Sequence, residues 1–187
     1  GGVNKSRGLI EFDLSSIPSD ATILGAFLSL SASGPTDATG AVTTVGSVGA
    51  NACHLLRISA AWNENTVTWN NQPTTSTEDA VPLAQSTYPL ENYPNIDVTA
   101  LVQDMVSDPS NSFGFMLKLD DETPSRGLLV FDSNSANADK WPALVVVYGE
   151  CGSTNIGVID GGNDHLSLSP SITSAGSPVQ LDMGSKI

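Results

Sequence analysis

Apolar and polar residues alternate in short segments along most of this 187-residue chain, with proline, glycine and asparagine between them. Residues 9–14 and 23–32 show this period of two most clearly, and the second segment would place Leu24 and Leu28 on one buried face. The same pattern predicts further strands at residues 53–58, 66–69, 113–119, 127–131 and 143–148. Many short strands of this kind favour an all-β fold, an antiparallel jelly-roll sandwich.

One segment has a helical period instead. Leu101, Val102, Met105 and Val106 lie on one face of a helix, and Asp108 followed by proline would end it. Asp97 or Thr99 can cap its first turn. The sequence therefore predicts one short helix over about residues 97–107.

The charge balance limits the partners. The formal net charge is −13, and only 14% of the residues are charged. An acidic surface repels phosphate backbones and anionic lipids, which excludes nucleic acid and membrane surfaces as expected partners. No apolar run approaches the roughly 18 residues that a membrane span needs. Serine, threonine, asparagine and glycine supply most of the polarity, which indicates an extracellular or cell-surface protein.

Catalytic and redox chemistry have little support. The chain has two histidines and two cysteines, without a GxSxG or CxxC motif, so no enzyme activity and no cofactor is expected. Cys53 and Cys151 suit one long-range disulfide if the protein is secreted, although two unrelated thiols are the alternative.

Two tryptophans are the candidates for sugar binding. The indole faces of Trp62 and Trp69 can stack on a pyranose ring, with a neutral glycan as the expected partner because the chain is acidic. The alternative is that both side chains fill the end of the core, and we predict that both are mostly buried.

Two further sites are weaker. Asp120, Asp121 and Glu122 follow a predicted strand and offer the hard oxygen ligands that calcium prefers, although solvated acidic turns are the more common outcome. Asn4 begins a glycosylation sequon.

Five segments resemble a known family when taken in order. They are residues 7–18 (RGLIEFDLSSIP), 62–73 (WNENTVTWNNQP), 96–99 (IDVT), 111–115 (NSFGF) and 141–148 (WPALVVVY). Together they resemble the DNRLRE domain, also described as a disaggregatase-related repeat. The resemblance implies a jelly-roll module of secreted and cell-surface proteins. Some members of that family are carbohydrate-binding modules of polysaccharide-degrading enzymes.

The opening strands of that family lie elsewhere in this chain. Residues 164–170 (DHLSLSP) and 181–184 (LDMG) resemble them, after a Gly-rich linker at residues 149–163. We therefore expect residues 1–148 to form a sandwich that lacks its first strands, which residues 164–187 complete. Five apolar residues would point inward: Leu166, Leu168, Val179, Leu181 and Met183.

Two arrangements follow from this displaced opening. We expect the terminal strands to enter a neighbouring copy, which predicts a structural or adhesive repeat unit of a surface filament or tandem-repeat surface protein, assembled head to tail by strand donation. The alternative arrangement is that they complete their own domain. The alternative function is a carbohydrate-binding module of a secreted polysaccharide-degrading enzyme.

Overall fold

The computed structural model describes residues 5–34, 49–123, 126–150, 153–160 and 165–168. Within these residues the chain forms two antiparallel sheets and one α-helix around a shared apolar core. This confirms the predicted all-β sandwich with one short helix.

Each sheet combines strands that are distant in the sequence. The four-stranded sheet has the order β1 (Gly8–Ile10), β6 (Phe115–Leu119), β3 (Cys53–Ile58) and β4 (Thr75–Leu83). The five-stranded sheet has the order β5 (Tyr93–Asp97), β2 (Thr22–Leu30), β7 (Ala143–Glu150), β8 (Ser153–Asp160) and β9 (His165–Leu168). Helix α1 spans Thr99–Ser107, and 3-10 turns lie at Trp69–Asn71, Pro109–Asn111 and Ala138–Lys140.

Strand β2 contributes many core residues, but its predicted buried face is correct for only part of its length. Leu28 is fully buried, whereas Leu24 is 59% exposed. The register between β2 and β7 shifts between Ile23 and Gly25. A bulge of this kind adds one residue to a strand and reverses the side-chain alternation beyond it, so Ile23 is buried and Leu24 is not.

Helix α1 forms where its apolar spacing predicts, and its four predicted apolar residues are all buried. It also supplies hydrogen-bond partners to the irregular start of β2. The Ala26 backbone N–H donates to Thr99 Oγ1 at 3.0 Å, and the Ile23 N–H donates to Gln103 Oε1 at 2.8 Å. The helix therefore satisfies backbone donors that lie beside the bulge.

Four strand predictions need correction. Residues 127–131 do not form a regular strand, and Val130 makes an isolated bridge with Ala32 instead. Residues 66–69 form the turn that leads into Trp69–Asn71 rather than a strand. Strands β4 and β5 lie in segments where no strand was predicted, since Pro82 and Pro94 interrupt the alternation there. Both are edge strands of their sheets, the position where a sheet tolerates proline.

The segment expected as a linker contains a strand. The backbone of β8 pairs antiparallel with β7 from Ser153 to Asp160, and β9 pairs with β8 in the same chain. In this register Leu166 is opposite Val158 and Leu168 is opposite Ile156. The division into residues 1–148 and 164–187 stays a prediction.

Candidate functional site

A cleft of about 470 Å³ runs along β1 between the loops at residues 62–67 and 131–134. Its floor includes residues 7–12. Its charged lining residues are Arg7, Glu11, Glu64 and Asp132. We term it the acidic cleft; its volume lies in the range typical of small-ligand sites.

Hydrogen bonds hold the walls of the acidic cleft in place. Asn134 Nδ2 donates to Glu64 Oε1 at 3.0 Å, which joins the two loops. Asp132 accepts from the backbone N–H of Asn134 at 3.1 Å, and the Trp141 indole donates to the Ser135 carbonyl at 2.8 Å. The cleft is therefore preformed, which reduces the entropy that a ligand loses on binding.

Trp62 lines the acidic cleft with a half-buried side chain. Its indole N–H donates to the Phe113 carbonyl at 3.0 Å. The ring packs against a small cluster formed by Leu56, Ile58 and Met116, which is separate from the main core. Trp62 thus stabilises the loop and also lies at the cleft.

Trp69 is different, because 42% of its surface is exposed. The prediction that both tryptophans are mostly buried is wrong for this residue. The Arg7 guanidinium lies over its ring, with Cζ 4.7 Å from the ring centroid. This cation–π contact fixes the ring orientation while part of the indole stays open to solvent.

Arg7 connects Trp69 to the rest of the site. Its Nε and Nη2 donate to the two carboxylate oxygens of Glu122 at 2.7 and 2.9 Å. Its Nη1 donates to Gln72 Oε1 at 2.7 Å, and Gln72 Nε2 donates to the Trp69 carbonyl at 2.9 Å. One guanidinium therefore orients both the exposed indole and the 3-10 turn that carries it.

A second cavity, of about 530 Å³, adjoins the acidic cleft. The two cavities share Arg7, Gly8, Leu117 and Val130. The charged residues that line the second cavity are Lys5, Arg7, Arg126 and Glu122. We term it the basic pocket, since three of its four charged side chains are positive in a chain of net charge −13.

Asn51 holds the segment that carries Arg126. This side chain is completely buried. Its Nδ2 donates to the Gly127 carbonyl at 3.1 Å and to Ser86 Oγ at 2.8 Å, and its Oδ1 accepts from the Ser86 N–H at 2.9 Å. A buried amide with these partners fixes the wall of the basic pocket.

The three carboxylates of the acidic run considered for calcium are directed toward three different side chains. Asp120, Asp121 and Glu122 pair with His54, Arg126 and Arg7 respectively. Within the described parts of the chain, no group of three or more His, Cys, Asp or Glu side chains could hold a metal ion. A calcium site stays a prediction without a ligand cluster in these residues.

Cys53 is completely buried in β3, where loss of hydration raises the pKa of its thiol to about 12. It is a free cysteine among the described residues. The other predicted site residues lie outside them: Cys151, Asn4, Val179, Leu181 and Met183. The disulfide, the sequon and these inward-pointing strand residues stay predictions.

No sequence pattern singles out Arg126 or Gln72, and Arg7 stands out only as part of the motif at residues 7–18. The two arginines could have been found from the small number of basic residues, since the chain has only seven lysines and arginines. Gln72 carries no such signal.

The chain from residue 2 to residue 148 matches the family model described as carbohydrate-binding module family 96. No curated protein and no solved structure matches the chain. The matched range includes every residue that lines the two cavities. In the portion of the chain that the structure describes, no helix has the length and apolar character to cross a membrane.

Proposed function

Since the chain belongs to carbohydrate-binding module family 96, we propose that it binds a glycan in the acidic cleft. The observation that carries this proposal is the position of the cleft. It is preformed, has Trp62 in its wall, and reaches Arg7, which supports the exposed indole of Trp69. Aromatic surface beside a few polar groups is what a sugar-binding site needs.

The lining chemistry matches a sugar. The hydroxyl groups of a pyranose donate hydrogen bonds to carboxylates, and Glu11, Glu64 and Asp132 present three of them. The apolar C–H face of the ring packs on an indole. Trp69 offers such a surface within reach of Arg7.

The charge favours a neutral backbone for this glycan. Three of the four charged side chains that line the acidic cleft are negative, and the whole chain carries −13. A densely charged polyanion would be repelled by both. We expect neutral polysaccharides to bind more tightly than polyanions of similar length.

The family is one of non-catalytic binding modules, and the proposal is binding without cleavage. A module of this kind keeps an attached enzyme or a cell surface close to a polysaccharide. We expect the protein that contains it to be secreted. The closer assignment to the DNRLRE domain belongs to this proposal and is supported by the same five segments.

Affinity electrophoresis through gels that contain single neutral polysaccharides tests the proposal. Wild-type protein should be retarded in at least one gel. Trp69→Ala should lower the apparent affinity for that polysaccharide by tenfold or more. Asn134→Ala should also lower the affinity, because the hydrogen bond to Glu64 is lost. Wild type that migrates freely through every gel of a broad neutral panel would count against the proposal.

Tyr88→Ala is the matched control. Tyr88 is an exposed aromatic residue, at 57%, and lies outside both cavities. It should bind like wild type. Equal loss in Tyr88→Ala and Trp69→Ala would indicate nonspecific aromatic adsorption instead of a site.

A second candidate is the filament unit assembled by strand donation. One observation favours it: β1 is an edge strand with β6 as its only strand neighbour among the described residues, which leaves a backbone edge for another strand. Light scattering after size exclusion tests it. Large species that disappear when residues 164–187 are deleted would support exchange between copies, whereas a monomer at all concentrations would contradict it.

A further inference from the structure

The basic pocket is the exception in an acidic protein. Lys5, Arg7 and Arg126 are three of the seven basic residues of the chain, and they line one cavity. A fourth, Lys118, lies close enough to help lower the pKa of Glu122. Side chains of one sign seldom gather around a cavity unless an opposite charge compensates them.

Glu122 compensates only part of this charge. It takes Nε and Nη2 of Arg7, while Gln72 takes Nη1. A guanidinium has five N–H donors, so two of those of Arg7 have no acceptor among the residues that the structure describes. Lys5 is exposed and adds up to three more.

Arg126 is also incompletely satisfied. Its Nη2 lies 3.2 Å from Asp121 Oδ2, and its Nη1 contacts the Thr123 hydroxyl. Its Nε is buried and has no hydrogen-bond partner among the described residues. A buried donor without an acceptor is costly, and Arg126 has more donors than the described part of the chain has acceptors for it.

Five of the other residues that line the pocket are apolar, four leucines and one valine, beside Ser6 and Thr123. They are Leu117, Leu119, Leu128, Leu129 and Val130. An apolar wall lowers the local dielectric and strengthens the attraction between a bound anion and the three cations. The pocket thus combines positive charge, spare donors and a weakly screening environment.

We propose that the basic pocket binds a tetrahedral oxyanion ester, a sulfate or phosphate group, carried by the glycan whose neutral backbone occupies the acidic cleft. The part of this inference that concerns the glycan backbone rests on the proposed function, whereas the anion site does not depend on it. The cavities share Arg7 and Gly8, so one chain of sugars can extend from the cleft into the pocket.

The arrangement of the cations favours an ester over a carboxylate. A tetrahedral oxyanion presents three terminal oxygens in different directions, which suits three cations, two from the segment before β1 and one from the segment after β6. A carboxylate presents two oxygens in one plane and is matched by a single guanidinium. The carboxylates of the neighbouring cleft repel a continuous polyanion, so the charged substituents would be sparse.

Titration with small anions at constant ionic strength tests the anion site directly. Methyl sulfate, methyl phosphate and sodium acetate are added separately to the 15N-labelled chain. Saturable changes in amide chemical shift should appear at Gly8 and Gly127 for at least one ester. The ester that binds more tightly identifies the bound group as sulfate or phosphate. Acetate should bind at least tenfold more weakly. No saturable shift, or acetate binding as tightly as the esters, would overturn the proposal.

Matched variants separate the pocket from bulk charge. Lys5→Gln and Arg126→Gln should each weaken ester binding by about tenfold or more. Lys140→Gln lowers the net charge equally but lies outside both cavities, so it should leave ester binding unchanged. Equal weakening in all three would overturn the proposal. Unchanged melting temperatures would show that each variant is folded.

The two proposals fail in different ways. A neutral polysaccharide should be lost with Trp69→Ala and retained with Arg126→Gln. The small esters should show the opposite behaviour. If the esters bind and every neutral polysaccharide fails to bind, the anion site stands and the proposed function is contradicted. If a neutral polysaccharide binds and no ester does, the proposed function stands and the anion site is contradicted.

Discussion

Arg7 and Glu122 form a bidentate ion pair across 115 positions of sequence, with N–O distances of 2.7 and 2.9 Å. The side chains are 20% and 16% exposed, so solvent screens the pair only in part. The pair connects the start of β1 to the loop after β6. It also holds the guanidinium that both cavities share.

Glu122→Gln keeps the size of this side chain and removes its charge. The free energy of unfolding should fall by about 1.5–3 kcal/mol near neutral pH, which is typical of a hydrogen bond to a charged group. Arg7 lowers the pKa of Glu122, so the carboxylate stabilises the fold above its unfolded-state pKa. That contribution is lost as the pH falls through the lower folded-state pKa.

Urea denaturation at successively lower pH checks this expectation. The difference between wild type and Glu122→Gln should narrow as the solution is acidified. Glu78→Gln, on the exposed face of β4, is the control and should show no such narrowing. A difference that persists unchanged in acid would show that the charge is not its source.

The two tryptophans near the cleft should respond differently to replacement by phenylalanine. Trp62→Phe leaves the Phe113 carbonyl without its donor and should cost about 1–3 kcal/mol of stability. Trp69→Phe should change stability by less than about 1 kcal/mol, because the side chain is substantially exposed. Acrylamide quenching provides the second readout: the quenchable fraction of the fluorescence should fall more in Trp69→Phe than in Trp62→Phe, because Trp62 and Trp141 are only partly exposed.

Gly114 is required by both conformation and space. Its φ is +81°, and an added Cβ would lie 2.1 Å from the Ile10 carbonyl oxygen. Gly114→Ala should therefore cost at least about 2 kcal/mol, through left-handed strain and displacement of β1. Gly127→Ala is the control, since a Cβ there meets nothing within 4 Å. Thermal unfolding of both variants should show a large loss for the first and almost none for the second.

Cys53 should be unreactive in the native state. Burial raises the pKa of its thiol to about 12, and the thiolate is the species that reacts. A chromogenic disulfide reagent should label it only after denaturation. Labelling of the denatured chain without reductant also tests the predicted bond to Cys151: two reactive thiols would rule that bond out, and none before reduction would support it.

The regular parts of this fold were predictable because they carry strong periodic patterns. Helix α1 and the buried face of β2 depend on spacing alone. The exposure of Leu24 was not predictable from the alternation, since the bulge between Ile23 and Gly25 arises from the pairing of β2 with β7. Strands β4 and β5 were missed because an edge strand needs neither a full alternation nor every N–H.

The site was less predictable than the fold. Trp62 and Trp69 look alike in the sequence, and only tertiary contacts decide that one packs on Met116 while the other stays exposed. Arg7 and Glu122 are brought together by the β1 and β6 pairing, which no local pattern reveals. Residue type therefore identified candidates, whereas sheet topology determined which of them share a cavity.

The pairing of β2 with β7 has a consequence for synthesis. Thr22 pairs with Gly149 and Ser29 with Ala143, so β2 lacks this neighbour until more than a hundred further residues have been translated. Contacts this distant in sequence slow folding, because a long loop must close before they form. A nascent chain therefore carries an unpaired, apolar edge of β2 until residues 143–149 emerge, and an edge of this kind favours aggregation during that interval.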